Sequence, residues 1–377
     1  GTLFEYFPTS NTITKLIDFS STNGKNPIGA MIEAPNGKLY GTTDKGGTSD
    51  LGTIFEFNPT GNVFTKKIDN TSNTPELNSF VYSTGSKLLT ISASATYTVN
   101  LQQNGAIVEY DYNTNALTTK YIFLGNNGME PQSTLFKANN GKFYGVTRGG
   151  GDSSVGVIYE YDHISDVYTK KIDLSQTIGK IGYAALVEGN TNTLLGVTSQ
   201  GGLNNSGEPS HRDGVIFEYD FTANTYSVKY NFSAANGFAP KGPLFKASDG
   251  KYYGLTTLGG ANGKGVIYQY NLATNTCIKK FDLVAGSGAS PVFSGFIEAA
   301  VGACTNPTQP TIASSANIVC PSTTLTLTAS GTLNDATQWS WYTGSCGGTL
   351  VGTGTTFTVA PTVTTTYYVK GTGGCTS

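Results

Sequence analysis

Five glutamates recur at one place in this chain, Glu5, Glu56, Glu109, Glu160 and Glu218, and Gln269 stands where a sixth would fall. Carboxylates held at a common position could do acid and base chemistry if two of them faced each other across a bound substrate. The neighbouring residues point to another use. Lys66, Lys67, Lys170, Lys171, Lys279 and Lys280 belong to the strand expected alongside, so cross-strand ion pairs account for the acids. A catalytic ring would not readily tolerate Gln269. Two histidines, His163 and His211, fall short of a multi-histidine metal centre, and no Cys-x-x-Cys pair makes up the deficit. The expectation is a chain with no catalytic residue, no metal and no cofactor.

Tyr40, Tyr144, Tyr161, Tyr219 and Tyr253 could stack on sugars, yet they too recur, at places where aromatic bodies would fill the space between packed sheets. A repeated residue is explained by a repeated fold, so ligand residues belong where the repeat breaks. The longest break spans 199–213, lengthens a loop by seven residues, and gathers Glu208, His211, Arg212 and Asp213 as a candidate partner or glycan loop. The loop at 92–103 has a similar claim.

The elements that must position these residues follow from a strict period. GTLFEY at Gly1 returns as GTIFEF at Gly52, GAIVEY at Gly105, GVIYEY at Gly156, GVIFEY at Gly214 and GVIYQY at Gly265, at intervals of 51, 53, 51, 58 and 51 residues. Upstream of most copies lies a second string, KLYGTT at Lys38, KFYGVT at Lys142, TLLGVT at Thr193 and KYYGLT at Lys251; the copy at Lys87 has eroded to KLLTIS. Each period holds four short runs rich in Val, Ile, Thr, Tyr and Phe between turn residues, which predicts four antiparallel strands. Asn36-Gly37, Asn140-Gly141 and Asp249-Gly250 are the pairs that close two-residue hairpins. First strands are expected at 29–34, 78–83, 133–138, 183–188, 242–247 and 295–299.

Four-stranded repeats of this length, in this order, resemble kelch-type blades and predict a six-bladed β-propeller over 1–302. The chain starts and stops in mid-blade, so the strand near Phe296 is expected to join those near Leu3 and Ile13 in one composite closing blade, with a further LYG-x-T-x-x-GG element upstream of Gly1. LYGTT-x-x-GG followed by GTIFE resembles the GloVer tandem repeat of bacterial surface and secreted proteins. That resemblance implies an extracellular propeller, often of Bacteroidota and sorted through type IX secretion, and implies no enzymatic activity.

Composition agrees with a turn-rich, structured chain. Glycine contributes 48 of 377 residues, charged residues only 13%, and the formal charge is −2. Basic residues are nearly all lysine, with Arg148 and Arg212 the exceptions, so nucleic acid is an unexpected partner. No run of about 18 apolar residues predicts membrane insertion. Expected partners are a cell-surface glycan, a protein of another cell, or further copies of the chain in an appendage. The segment at Gly1 has no leader-like pattern, which leaves secretion open.

After a Pro-punctuated linker at 303–310, period-two runs around Trp339 and Trp341 predict a small β-sandwich over 311–377, its last strand expected to be cut short. Alternation predicts that the tryptophan pair is half core and half surface. The pattern CP-x-x-x-LTLTASG, WSWYT, TTTYYV and Gly-Gly-Cys-Thr resembles the Ig-like modules strung along giant Bacteroidota surface proteins. Four of the five cysteines lie here or at its edges and allow three pairings. An Ig-like topology brings Cys320 near Cys346 as the expected disulfide, and Cys277 is expected to be an unpaired small hydrophobe.

Overall fold

The string that opens on glycine becomes the same strand each time: Thr2–Phe7 (β1), Thr53–Asn58, Ala106–Asp111, Val157–Asp162, Val215–Asp220 and Val266–Asn271. Each is followed by an antiparallel partner: Thr12–Asp18 (β2), Val63–Asp69, Ala116–Ile122, Val167–Asp173, Thr225–Asn231 and Thr276–Asp282. The computed structural model describes residues 1–7, 12–71, 76–93, 104–203, 213–286, 288–292, 294–298, 306–316, 319–334 and 336–373. The hairpin between these strands is encoded locally. The side-chain oxygen of Asn58, Asp111, Asp162, Asp220 or Asn271 accepts the backbone N–H two residues on. Asn62, Asn115, Asp166, Asn224 and Asn275 then take the left-handed conformation, which Asn and Asp adopt at least cost. In every copy the pairing register slips after the second residue of the opening strand, a bulge that increases twist.

In five repeats, the second strand adds to the other edge of this hairpin: Leu39–Lys45, Lys87–Ser92, Phe143–Gly149, Thr193–Thr198 and Tyr252–Leu258. The first strands are shorter than expected. They shrink to Ile32–Glu33, Val81–Thr84, Phe136–Lys137, Val187–Glu188 and Phe245–Lys246, while Lys25–Pro27, Met129–Pro131 and Phe238–Pro240 pair separately with the far end of the second strand. The break has a cause: Asn26, Glu130 and Ala239 sit at positive φ in front of a proline that offers no N–H.

Consecutive sheets pack face to face. Tyr40 of the first repeat stacks on Tyr112 of the second at 5.2 Å, Phe123 of the second meets Tyr159 of the third at 5.1 Å, Tyr144 stacks on Phe221 at 5.4 Å, and Phe232 meets Tyr268 at 5.0 Å. A fully buried aromatic of this kind contributes about 2–3 kcal/mol by area removed from water.

Among the described residues the expected composite closing sheet is absent: β1 pairs only with β2, and 294–298 carries no strand. Pro291 and Gly295 weaken strand propensity there. The segment bonds instead to the fifth repeat: Thr257 Oγ1 donates to Pro291 O at 2.8 Å and the Ser248 N–H donates to Glu298 Oε2 at 2.9 Å. Ile297 is left 91% exposed.

The chain divides into two compact units, Gly1–Glu298 and Ala299–Ser377. The second is a pair of three-stranded antiparallel sheets, one holding Thr311–Ser314, Leu325–Ser330 and Thr356–Val359, the other Thr349–Thr353, Gln338–Thr343 and Tyr367–Thr372. Trp339 and Trp341 are both buried, which corrects the half-core expectation: residues two apart share a face, and this strand is the central one of its sheet. Trp341 Nε1 donates to Gly354 O at 2.9 Å, satisfying the buried indole. Among the described residues no helix is long and apolar enough to cross a membrane.

Candidate functional site

The recurring glutamates are held by two strands at once. Glu56 takes Lys38 Nζ at 2.7 Å and the Tyr40 hydroxyl at 2.8 Å, with Lys67 at 3.5 Å; Glu160 takes Lys142 at 2.8 Å and Tyr144 at 2.6 Å, with Lys171 at 3.7 Å. Glu109 pairs with Lys87 at 2.9 Å, and Glu218 with Lys229 at 2.7 Å. The start of the second strand, or the residue just before it, thus supplies the nearer cation in three repeats, and the expected fourth-strand lysines Lys67 and Lys171 stand farther off. Lys66, Lys170 and Lys279 turn instead to Asp69, Asp173 and Asp282. Burial alone would raise the Glu56 and Glu160 carboxyls, but hydrogen bonds from lysine and tyrosine outweigh it and hold both below the usual range.

Tyr40, Tyr144, Tyr161 and Tyr219 are buried between sheets. Tyr253 is half-buried, and its neighbour Tyr252 takes the packing role in that repeat. His163 lies edge-on to Phe143 at 5.2 Å, and burial followed by the Lys137 charge lowers its pKa. Among the described residues no group of three His, Cys, Asp or Glu could hold a metal ion.

Of the four residues assigned to the long loop, Glu208, His211 and Arg212 lie outside the described residues, as does most of 92–103. Asp213 is described, and it is buried at 5% exposure, not presented to a ligand. Its carbonyl accepts the Ala239 N–H at 3.2 Å, part of a clasp between repeats. Cys320 and Cys346 are exposed free thiols, correcting the expected disulfide. Both lie outside the strands, Cys320 in a turn between two strands of one three-stranded sheet, where its carbonyl accepts the Thr323 N–H, and Cys346 in the 343–349 hairpin of the other. Cys277 is also free, packed against the core between the fourth and fifth repeats, and burial raises its thiol to about 12.

The clasp leads to a site that the sequence did not reveal. Asn26, Glu76, Glu130, Ile181, Ala239 and Ser290 hold positive φ at matching places. The N–H groups of Glu130, Ile181, Ala239 and Ser290 donate to the residue just before the glycine of the preceding repeat's third strand. Two residues on, after a proline in four of the six cases, come Ile28, Asn78, Gln132, Tyr183, Lys241 and Val292: six copies of one position, no two alike. Neighbours among them touch. Asn78 Nδ2 donates to Gln132 O at 2.7 Å, and Lys241 Nζ lies 5.3 Å from the Tyr183 ring centre. Arg148, at the end of a second strand where other repeats carry Asp44, Ala93, Ser199 and Thr257, donates Nε to the Tyr183 hydroxyl at 2.9 Å and forms an ion pair with Glu130. Two cations over one half-buried tyrosine, against a single carboxylate, make a patch that favours an anion beside an aromatic face. Once the copies are aligned on the strained residue, no two of them agree at this position.

Residues 307–377 match the family described as Ig-like domain CHU_C associated, so the second unit is an Ig-like domain. The whole is an all-β chain of repeated antiparallel sheets followed by that domain. No curated protein matches the chain. Among solved structures it is similar to the extracellular domain of an inferred hybrid two component system from B. thetaiotaomicron, at TM-score 0.50 and 12% identity over 75% of this chain and 31% of that one. It is similar to an inferred 6-phosphogluconolactonase from Bacteroides uniformis at TM-score 0.49 and 11% identity, covering 97% and 94%. A polysaccharide lyase of ulvan aligns at TM-score 0.46 and 11% identity, covering 84% and 83%. The chain spans under a third of the length of the two-component protein's domain. At these identities the likeness is one of fold.

Proposed function

We propose that this chain is a non-enzymatic extracellular interaction module, in which 1–298 is a six-bladed propeller of GloVer type followed in the chain by an Ig-like domain. The patch of Arg148, Tyr183 and Lys241 is its ligand contact. The reading rests on one observation: a repeat whose acids and tyrosines are consumed by packing and ion pairs sets six different side chains at one position. A repeated scaffold that sets a different side chain at one partly exposed position in every copy is suited to presenting a surface. The match of 307–377 to an Ig-like family and the fold shared with an extracellular domain support a location outside the cell.

The chemistry of the patch selects the ligand class. The Arg148 guanidinium and the Lys241 ammonium, both held against the Tyr183 ring, take a carboxylate or sulfate, so an acidic cell-surface glycan is the partner. Glycan-array binding followed by titration calorimetry tests this. Arg148→Ala and Lys241→Ala should each weaken binding of an acidic oligosaccharide by about tenfold or more, as loss of a charged hydrogen bond requires. Equal binding by wild type and both variants overturns the assigned contact, and turnover of any polysaccharide overturns the non-enzyme reading.

A further inference from the structure

We infer that β1 is a strand-acceptor edge, and that its occupant is an extended segment with the chemistry Lys-(Leu/Phe/Tyr)-(Tyr/Leu)-Gly-x-Thr. The argument compares one string in two environments. Phe4 occupies the place of Phe55, Tyr159, Phe217 and Tyr268, which are 0 to 2% exposed; Phe4 is 55% exposed. Tyr6, in the place of the buried Phe57, Tyr161 and Tyr219, is exposed as well. The difference is the second strand, which covers the other copies and is missing from β1 among the described residues.

The repeats also state what the covering strand must contain. Phe55 pairs with Gly41, Tyr159 with Gly145, Phe217 with Gly196 and Tyr268 with Gly254, and a Cβ on any of those glycines would overlap the ring opposite. In the second repeat both members change together: the aromatic becomes Val108 and its partner Thr90. An aromatic at Phe4 therefore calls for glycine opposite. Glu5 is exposed where Glu56, Glu109 and Glu160 hold a lysine from the covering strand, so the occupant brings a cation three residues before that glycine.

The test copies 36–51 directly ahead of Gly1 in the full chain, which reproduces the spacing between that strand and Gly52 at high effective concentration. Amide exchange of residues 2–6, read by mass spectrometry, should slow by about tenfold or more as pairing protects the edge. The same copy carrying Gly41→Val should give no protection. A synthetic peptide of the same sixteen residues, added to the unaltered chain, gives an independent readout should the extended chain fold poorly. Unchanged exchange in both formats overturns the inference, as does equal protection by the Gly41→Val copy. Concentration-dependent dimerisation of the unaltered chain that Phe4→Glu abolishes would assign the edge to a second copy and overturn it too.

Discussion

Gln269 donates its side-chain amide to the Tyr253 hydroxyl at 2.7 Å, reversing the direction that this bond has from Tyr40 to Glu56 and from Tyr144 to Glu160. In the first repeat Asn36 Nδ2 donates to the Tyr40 hydroxyl at 2.9 Å, and that hydroxyl donates to Glu56. In the fifth repeat Tyr253 donates outward to Asp249 at 3.0 Å. The glutamine is one half of a compensated exchange, Glu for Gln and Asn for Asp, that keeps one proton per bond.

Gln269→Glu alone should therefore destabilise the chain by about 1 kcal/mol, because one hydroxyl proton would face two carboxylates. Adding Asp249→Asn should restore most of the loss. Urea unfolding of the four-member cycle should give a coupling energy of about 0.5–3 kcal/mol; additive single effects would contradict the exchange.

Acid should weaken the chain in two windows. His163 is held below its ordinary value of 6.5 by burial, so the unfolded chain takes the proton first and stability falls as pH drops below about 6.5. Glu56 and Glu160 lie below their ordinary 4.5, so the stability they supply is present above that value and is lost as pH falls through their folded pKa. In pH-dependent urea unfolding, His163→Gln should remove the first decline and Glu160→Gln should flatten the second.

Thiol reactivity should sort the cysteines by position. Native-state alkylation at pH 8 should label Cys320 and Cys346 and leave Cys277 untouched, since burial keeps that thiol protonated far above the working pH. Peptide mapping of the labelled chain decides it, and an intact Cys320 to Cys346 bridge would contradict the free thiols.

Gly145→Thr should cost about 2–3 kcal/mol, since a side chain there has no room beside the Tyr159 ring. In a Tyr159→Val background, which copies the Thr90 and Val108 pair of the second repeat, the same change should cost under about 1 kcal/mol. Thermal or chemical unfolding measures both.

Much of the repeat could be read directly. Hairpin residues such as Asn58 and Asn62 act on backbone groups a few positions away, and strand alternation is equally local, so both leave a signature in the string. The cations of Glu56 and Glu160 come from Lys38 and Lys142, eighteen residues upstream on another strand, and nothing local selects them over Lys66 or Lys170. The strained residues leave no signature in the string, because Asn26, Glu76, Glu130, Ile181, Ala239 and Ser290 span five residue types. Glu130, Ile181, Ala239 and Ser290 are held by hydrogen bonds to the preceding repeat, far along the chain, and Tyr183 and Lys241 lie two residues beyond two of them. Asp213 looked like a loop acid because its sequence neighbours are polar, while its burial comes from the repeat after it.

The sequence by itself determined the period, the four-strand order, the turn chemistry and the all-β class, because each is written in contacts between residues close along the chain. Tertiary structure alone decided which copies of a string are core and which are surface. Phe4 and Phe55 stand in nearly identical strings, yet one faces solvent and the other a packed glycine strand. Burial belongs to what lies across the sheet, and that partner is chosen by pairing over long sequence distance, where hydrophobic area and steric fit are summed only after the chain has folded.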